Sequence, residues 1–250
     1  MFLLKIRLIN RWAMERILAI SCLLISLVPQ LWTSRACADS IDDAGLWNAL
    51  FARGDFEALG LKNDRLKWWF DGQIRFLDDA GGFNQSLVRP GIGWTLNERS
   101  TVWAGYGWIR TSKPSRLEFD EHRIWQQWTW SKSDEVWKVG LRSRFEQRFV
   151  ELGDDVGLRF RQLFSVRRKL PGLPRMTVVC WDELFYNLND TDWGAESGFN
   201  QNRAFVGVGY KHSKHSPWRV EIGYLNQVLH NPFGSDRNHH ILSLNLFRSP

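Results

Sequence analysis

An alternation of apolar and polar residues runs along most of this chain to its last residues, and it constrains the fold more than any other feature. Because side chains alternate across a β-strand, each alternating stretch predicts a strand with one apolar and one polar face. In residues 139–149 the apolar side chains fall on one face, and Arg142, Arg144, Glu146 and Arg148 fall on the other. Many such strands behind an export signal are typical of an outer-membrane β-barrel.

The amino-terminal segment has the three parts of a secretory signal peptide. Basic residues precede an apolar run at residues 17–28, and a small-x-small cleavage sequence ending at Ala38 follows it. The apolar run is short for a helix that crosses a bilayer, so an uncleaved anchor is the weaker alternative. We predict a signal peptide at residues 1–38 and one outer-membrane barrel domain at residues 39–250.

The composition does not support a nucleic-acid partner. The full chain has 33 Lys and Arg against 27 Asp and Glu, a net charge of +6. Five of the basic residues and one acidic residue lie in the predicted signal peptide, which leaves 28 against 26. A nearly balanced chain lacks the basic footprint of a nucleic-acid-binding protein. Cys180 is the one cysteine after residue 38, so no disulfide is expected within the mature chain.

The alternation predicts eleven strands, most of them longer than the roughly five or six residues of an ordinary strand. They are residues 46–58, 65–78, 84–96, 100–111, 120–132, 135–149, 156–170, 175–188, 200–212, 217–229 and 237–248. The predicted fold is all-β, a single antiparallel up-and-down transmembrane β-barrel of about 10–12 strands. Bacterial barrels normally have an even number of strands, so we expect ten or twelve, with the polar residues 39–43 as a weak place for a missed strand.

The predicted connections between strands differ in length. Short turns fall at residues 61–64, 96–99, 131–134 and 212–215, and longer loops lie near residues 79–83, 112–119, 189–199 and 230–236. Outer-membrane barrels carry short turns on the periplasmic side and long loops outside. We therefore predict that odd-numbered strands, including the last one, end in the periplasm.

The alternation also assigns the two faces of the barrel. An Arg or Lys that faces the bilayer midplane costs about 2–4 kcal/mol, so the many arginines are expected inside. The predicted inward set is Asp71, Arg75, Arg89, Arg123, Arg142, Arg144, Glu146, Arg148, Arg159, Arg161, Glu183, Arg203 and Glu221. The predicted outward set is Phe70, Ile74, Tyr106, Trp108, Phe160, Phe164, Val206, Val208, Ile222 and Tyr224.

Six short sequences occur in order over nearly the whole mature chain. They are Trp68-Trp69-Phe70-Asp71-Gly72-Gln73, Arg89-Pro90-Gly91-Ile92-Gly93, Trp103-Ala104-Gly105-Tyr106, Glu121-His122-Arg123-Ile124-Trp125-Gln126-Gln127, Trp181-Asp182-Glu183-Leu184-Phe185 and Phe199-Asn200-Gln201-Asn202-Arg203. With them the chain resembles the bacterial domain of unknown function 2490 family, a group of predicted outer-membrane β-barrels. The resemblance implies a fold and a location, and it implies no activity and no catalytic residues.

The charged interior is the strongest candidate site. It comprises Arg123, Arg142, Arg144, Glu146, Arg148, Arg159, Arg161, Glu183 and Arg203. Rings of arginine favour anions in a pore, which predicts an anion path. In a small barrel the same side chains can pair across the interior and fill it, and this structural interpretation is favoured.

Three other features are weaker candidates. The acidic loop at residues 187–196 carries oxygen ligands that suit a cation and a tryptophan that suits a carbohydrate, but a solvated loop is favoured. The six histidines, at positions 122, 212, 215, 230, 239 and 240, make no convincing metal site. Residues 212–216 hold Ser and His in a predicted turn without an acidic partner in the sequence. We therefore expect no catalytic residue, no metal and no cofactor.

Three functions follow, in order of preference. The first is a small outer-membrane barrel of a Gram-negative bacterium without catalytic activity, acting as a narrow channel or as a structural or surface-binding protein. The second is a lipid-modifying barrel enzyme such as an acyl hydrolase, and the third is a secreted soluble barrel with an apolar interior for a ligand. The expected partners are outer-membrane lipid and the barrel-assembly machinery, which would recognise the last strand near Phe247; the ligand is unknown.

Overall fold

The computed structural model of the protein describes residues 41–60, 63–79, 81–112, 117–213, 215–232 and 234–249, and the predicted signal peptide lies outside them. Within these residues eleven strands form one closed barrel, and each strand overlaps one of those predicted. The strands are β1 (Ile41–Asp55), β2 (Leu66–Leu77), β3 (Gly82–Asn97), β4 (Ser100–Ser112), β5 (Glu118–Ser133), β6 (Trp137–Val150), β7 (Val156–Leu170), β8 (Leu173–Asn187), β9 (Gly198–Tyr210), β10 (Trp218–Leu229) and β11 (Arg237–Arg248). A short 3-10 helix, Phe56–Leu59, follows β1. The described residues contain no helix that is long and apolar enough to cross a membrane.

The barrel closes through a parallel contact between its first and last strands. β1 and β11 run in the same direction, in register from Ile41 opposite Arg237 to Ala52 opposite Arg248, whereas the other neighbouring strands are consecutive and antiparallel. The predicted all-β, up-and-down barrel of about 10–12 strands is therefore confirmed, with one parallel pair at its closure. The expectation of an even number, ten or twelve, is wrong, because the barrel has eleven strands. Of the polar segment considered for a missed strand, residues 41–43 belong to β1, where the Ile41 N–H donates to the Asp236 carbonyl oxygen at 3.1 Å, and residues 39–40 lie outside the described residues.

The two ends of the barrel differ in their turn chemistry. We call the end at which the odd-numbered strands finish the turn end, and the opposite end the loop end. Three connections at the turn end depend on Asn63, Asn97 and Asp134, whose side-chain oxygens each accept two backbone N–H groups and so reverse the chain. Length does not distinguish the two ends, because the connection of residues 56–65 at the turn end is as long as that of residues 188–197 at the loop end. The orientation in the membrane therefore stays a prediction.

The outer surface of the barrel is apolar and its inner surface is largely charged. Large apolar side chains such as Ile92, Val206 and Leu242 point outward with more than half of their surface exposed. Of the ten predicted outward residues, eight are exposed, and Phe70 and Phe164 are half-buried. An apolar exterior around a charged interior is the arrangement of a barrel that spans a lipid bilayer.

Two glycines allow a tryptophan to lie flat against the inner wall. Trp125 of β5 is fully buried, and its ring covers Gly91 of β3 and Gly105 of β4. A Cβ atom at these glycines would lie 2.5 and 2.3 Å from the ring, closer than a side chain can approach. The indole Nε1 donates a hydrogen bond to the Tyr106 carbonyl oxygen at 3.1 Å, which fixes the ring. This part of the interior is therefore filled by one large side chain.

The other arc of the barrel is filled by a cluster of apolar side chains. Its buried members come from β1 and from β8 to β11, and Trp181 packs against them. They are Trp47, Val179, Phe205, Leu225 and Ile241. Between this cluster and Trp125 lies the charged network.

Candidate functional site

The nine interior residues predicted as a site lie inside the barrel on five consecutive strands, from β5 to β9. Where one strand contributes several of them, their positions differ by an even number, so they share the inner face. Arg142 and Arg148 are half-buried. The buried members are Arg123, Arg144, Glu146, Arg159, Arg161, Glu183 and Arg203.

Glu146 is the centre of this charged network. Its carboxylate accepts hydrogen bonds from Arg159 Nη2 at 2.6 Å and from Arg161 Nη1 at 2.7 Å. Nη1 atoms of Arg144 and Arg123 lie 3.7 and 3.8 Å from the same carboxylate. The strand register explains the grouping, because Glu146 lies opposite Arg159 and Arg144 lies opposite Arg161. Glu146 is completely buried, and a carboxylate is tolerated there because guanidinium groups surround it.

Arg161 links Glu146 to a second carboxylate. Its Nη2 lies 2.8 Å from Glu183 Oε1, which also accepts from Arg142 Nη2 at 2.7 Å. The remaining carboxylates of the interior take the same kind of partner. These pairs are Glu121 with Arg123 at 2.7 Å and Arg148 at 2.6 Å, Glu221 with Arg167 at 3.1 Å and Arg219 at 2.8 Å, and Asp71 with Arg89 at 2.5 Å.

Arginines outnumber carboxylates on the described inner wall. The carboxylates in the pairs above are those of Asp71, Glu121, Glu146, Glu183 and Glu221. The arginines are Arg75, Arg89, Arg123, Arg142, Arg144, Arg148, Arg159, Arg161, Arg167, Arg203 and Arg219. The interior therefore carries an excess of positive charge.

Aromatic rings and amides bind the arginines that are in excess. The Arg75 guanidinium lies 4.1 Å from the centre of the Trp47 ring and donates to Gln73 and Gln85. The Arg144 guanidinium lies 4.6 Å from the Trp125 ring. Cation–π contacts of this kind are stronger where the groups are removed from water. Large aromatic side chains therefore belong to the network as much as the carboxylates do.

The predicted set omitted several residues that the structure places in the network: Glu121, Trp125, Gln127, Arg167 and Arg219. Three of them, Glu121, Trp125 and Gln127, lie an even number of residues from Arg123 on β5. The alternation that placed Arg123 inside thus already contained the signal for them. The alternation did not indicate Trp125, because its apolar ring occupies an inward position at which the pattern predicts a polar residue.

A ring of buried side chains closes the interior near mid-height. We call it the closing belt: Trp47, Asp71, Arg89, Trp125, Arg144, Arg161, Val179, Phe205, Leu225 and Ile241. These residues lie near the middle of ten of the eleven strands, and none has more than 7 % of its surface exposed. On the remaining strand, β4, Gly105 lies under the Trp125 ring. Side chains this buried leave no water-sized space beside them, so the described interior has no open aqueous path at this level.

Comparison with known proteins identifies the family. The model described as "Protein of unknown function (DUF2490)" matches residues 44–239. The chain belongs to the DUF2490 family. The resemblance seen in the sequence is thereby confirmed. An uncharacterized protein of Methylorubrum extorquens, 35% identical over 233 residues, matches 90% of this DUF2490 chain, and the match covers 96% of the relative.

Two solved structures show a more distant similarity to this DUF2490 chain. The KdgM porin is 12% identical with a TM-score of 0.41, over 64% of this chain and 76% of the porin. OmpT of Vibrio cholerae is 15% identical with a TM-score of 0.39, over 66% of this chain and 56% of OmpT.

Two loops of this DUF2490 member bind each other at the loop end. Asp192, between β8 and β9, accepts hydrogen bonds from the backbone N–H groups of Asp154 and Asp155, between β6 and β7, at 2.8 and 3.2 Å. Trp193 Nε1 donates to the Asp155 carbonyl oxygen at 2.8 Å. The N–H groups of Asp154 and Asp155 hold the pKa of the Asp192 carboxyl below its usual value. In the loop considered for cation or carbohydrate binding, this carboxylate therefore joins two loops, an arrangement that we call the loop clasp.

One of the histidines considered for chemistry, His239, faces the interior, where its Nδ1 lies 3.4 Å from Gln227 Oε1. The other histidines and Ser216 lie away from the charged network. On the outer surface the His122 ring contacts Tyr106, and the His240 ring contacts Tyr224. Ser216 Oγ is bonded to the backbone two residues further along the turn. Within the described ranges, no three His, Cys, Asp or Glu side chains are grouped to hold a metal ion.

Proposed function

We propose that this protein is an outer-membrane β-barrel that acts as a structural or surface-binding protein, with an interior closed to ion flow. The closing belt is the observation that carries the proposal. An open channel needs an aqueous path, and inward side chains along such a path would be exposed to water. The belt residues Trp125, Arg144 and Val179 are at most 1 % exposed.

The membrane location is supported by the chemistry of the outer wall. Exposed Ile, Leu, Val and Tyr side chains cover the strands, and water is a poor solvent for such a surface. Among the described strands the closure of the barrel pairs every strand with two neighbours, as the lipid phase requires. The predicted signal peptide at residues 1–38 supports export. A secreted soluble barrel with an apolar interior requires the reverse distribution of side chains, and the charges of this barrel lie inside.

The charged network makes a persistent closure physically reasonable. Opening the barrel at mid-height would separate charges on strands that are not neighbours, such as Arg142 of β6 and Glu183 of β8, which lie 2.7 Å apart. Removing one partner of a buried ion pair costs about 3–5 kcal/mol, because the other charge stays buried without compensation. Glu183 also binds Arg161, which in turn binds Glu146, so the network resists opening as a unit.

Two measurements test the proposal. The protein, produced from the full chain, should sediment with the outer membrane in a density gradient and should resist extraction by carbonate. The folded protein, identified by its heat-modifiable mobility in gels, should give no steady conductance in a planar bilayer. Stepwise currents from the heat-modifiable species would show that the barrel is a channel. Recovery in the soluble periplasmic fraction would contradict the membrane location.

A further inference from the structure

The turn end of the barrel has a strongly basic inner rim. We call this rim the basic mouth: Arg53, Lys138, Arg167, Lys211 and Arg219. These residues come from β1, β6, β7 and β10 and from the residue that follows β9. By the alternation of each strand, those on strands share the inner face with the network above.

Register and ring contacts bring these side chains together. Lys138 lies directly opposite Arg167 in the pairing of β6 with β7. Arg167 and Arg219 both approach Phe247, with guanidinium carbons 6.0 and 4.5 Å from the ring centre. Phe247 stacks on Phe51, two residues before Arg53, with 4.9 Å between the ring centres. The basic side chains thus surround a pair of stacked phenylalanine rings.

Two carboxylates lie near these residues and cannot balance them. Asp55, on the inner face of β1 two residues after Arg53, is already paired with Lys67 of β2. The other carboxylate is that of Glu221. Its Oε1 atom accepts hydrogen bonds from both Arg167 and Arg219, at 3.1 and 2.8 Å. The Glu221 side chain is about 1 % exposed, so little of it can be reached by further cations. Like charges held this close repel one another, and an anion that entered the mouth would relieve the repulsion.

The basic mouth is open to water, unlike the centre of the barrel. The Arg167 and Arg219 side chains are 21% and 18% exposed, Lys138 is half-buried and Arg53 is exposed. A ligand from solution can therefore reach the guanidinium and ammonium groups. The closing belt lies deeper in the barrel, so the mouth forms a blind vestibule.

The charge at the other end of the barrel has the opposite sign. Acidic side chains crowd the loop end, and few basic ones accompany them among the described residues. The acidic residues there are Asp42, Asp43, Asp78, Asp79, Glu118, Asp120, Glu151, Asp154, Asp155, Asp190, Asp192, Glu196 and Asp236. An anion is therefore repelled from one end and attracted to the other, because clefts lined by one sign of charge focus the field.

We propose that the basic mouth binds a small soluble oxyanion that carries two or more negative charges, of the phosphate or polycarboxylate class. Guanidinium groups present paired N–H donors that match such oxygens, and Lys138 adds a mobile point charge. The site lies inside the rim, away from the lipid-facing wall, which favours a soluble ligand. This proposal goes beyond the structural or surface-binding role, and it needs only the barrel and its rim. A conducting barrel would leave it intact.

Inorganic pyrophosphate is a suitable probe. Its binding to the folded protein, in a zwitterionic detergent, can be measured by equilibrium dialysis at low and at physiological ionic strength. We expect saturable binding that weakens as salt rises. The double variant Arg53→Gln/Lys138→Gln should bind about tenfold more weakly, since two opposite charges near the anion are lost. Chloride at the same ionic strength should not replace the ligand.

The matched control is the double variant Lys132→Gln/Arg99→Gln, which removes two positive charges from the turn end but outside the mouth. Both of its sites are exposed, so the variant is expected to fold. It should bind pyrophosphate like the parent protein. Equal weakening in the two double variants would show that net charge alone attracts the anion and would overturn the proposal, as would the absence of saturable binding. Displacement of pyrophosphate by anionic lipid in nanodiscs would assign the site to a lipid headgroup instead of a soluble ion.

Discussion

Replacement of Glu146 by glutamine tests whether the charged network holds the barrel together. The substitution keeps the size of the side chain and removes one negative charge from a completely buried position. Four arginines place guanidinium nitrogens within 3.8 Å of that carboxylate. Breaking a buried ion pair by removing one partner costs about 3–5 kcal/mol, because the remaining charge is not compensated. We therefore expect Glu146→Gln to lower the free energy of unfolding by at least about 3 kcal/mol.

The control is the same replacement of glutamate by glutamine in an exposed ion pair with the same nitrogen–oxygen distance. Glu118 accepts from Arg110 at 2.7 Å, the distance between Glu146 and Arg161. The Glu118 and Arg110 side chains are 54% and 37% exposed, so water and salt screen their attraction. We expect no measurable change of stability in Glu118→Gln.

Urea unfolding in lipid vesicles measures both variants. Tryptophan fluorescence reports the transition, since the chain has 15 tryptophans, and gel mobility without heating reports the folded fraction. A loss of 3 kcal/mol reduces the ratio of folded to unfolded protein by about a hundredfold at a given urea concentration. Equal midpoints for Glu146→Gln and the parent protein would refute the view that the network stabilises the barrel. Equal losses in the two variants would show that burial of the pair is irrelevant.

Three further predictions concern packing, closure and the loops. Gly105→Ala should destabilise the folded barrel by about 1–3 kcal/mol in the same urea assay, because the added Cβ meets the Trp125 ring; an unchanged midpoint would mean that the ring moves aside freely. Trp125→Gly should give brief openings in planar bilayers, whereas Trp128→Gly, which alters the exposed outer face of the same strand, should stay silent. The folded pKa of Asp192 lies below its ordinary value, so the stability of the loop clasp is fully present above that value and is lost as pH falls through the folded pKa. Asp192→Asn should therefore reduce protection of the Asp154 amide from hydrogen exchange at neutral pH, and full protection in the variant would contradict the role of the carboxylate.

The strands of this barrel could be predicted from the sequence because alternation is a local signal. β7 and β11 end where the pattern ends, at Leu170 and Arg248. β1 begins earlier than its pattern, at Ile41, since its first residues are polar and lie at the rim, where an apolar outer face is not required. The closure of β1 on β11 could not be predicted, because it joins residues almost two hundred positions apart and leaves no periodic trace.

The candidate site was predictable in its composition but not in its connections. Spacing placed Arg144, Glu146 and Arg161 on inner faces, yet it gave no information on which carboxylate each arginine meets. Those partners depend on register, which sets Glu146 opposite Arg159. The contribution of Trp125 also needed the structure, because its place depends on two glycines of other strands. Long-range packing, and not local pattern, decides which side chains fill the interior.

The parallel contact of β1 with β11 has a consequence for the order of assembly. Each antiparallel pair in this barrel can form as a hairpin from neighbouring segments, whereas the closing pair joins the two extremes of the folded chain. Loop-closure entropy opposes that contact until the intervening strands are in place, so the seam should form last. Until then two long strand edges stay unpaired, and an unpaired edge is a template for pairing with another chain. The nascent barrel is therefore most vulnerable to mispairing along the rows from Ile41 and from Arg237, and a folding helper would protect it best there.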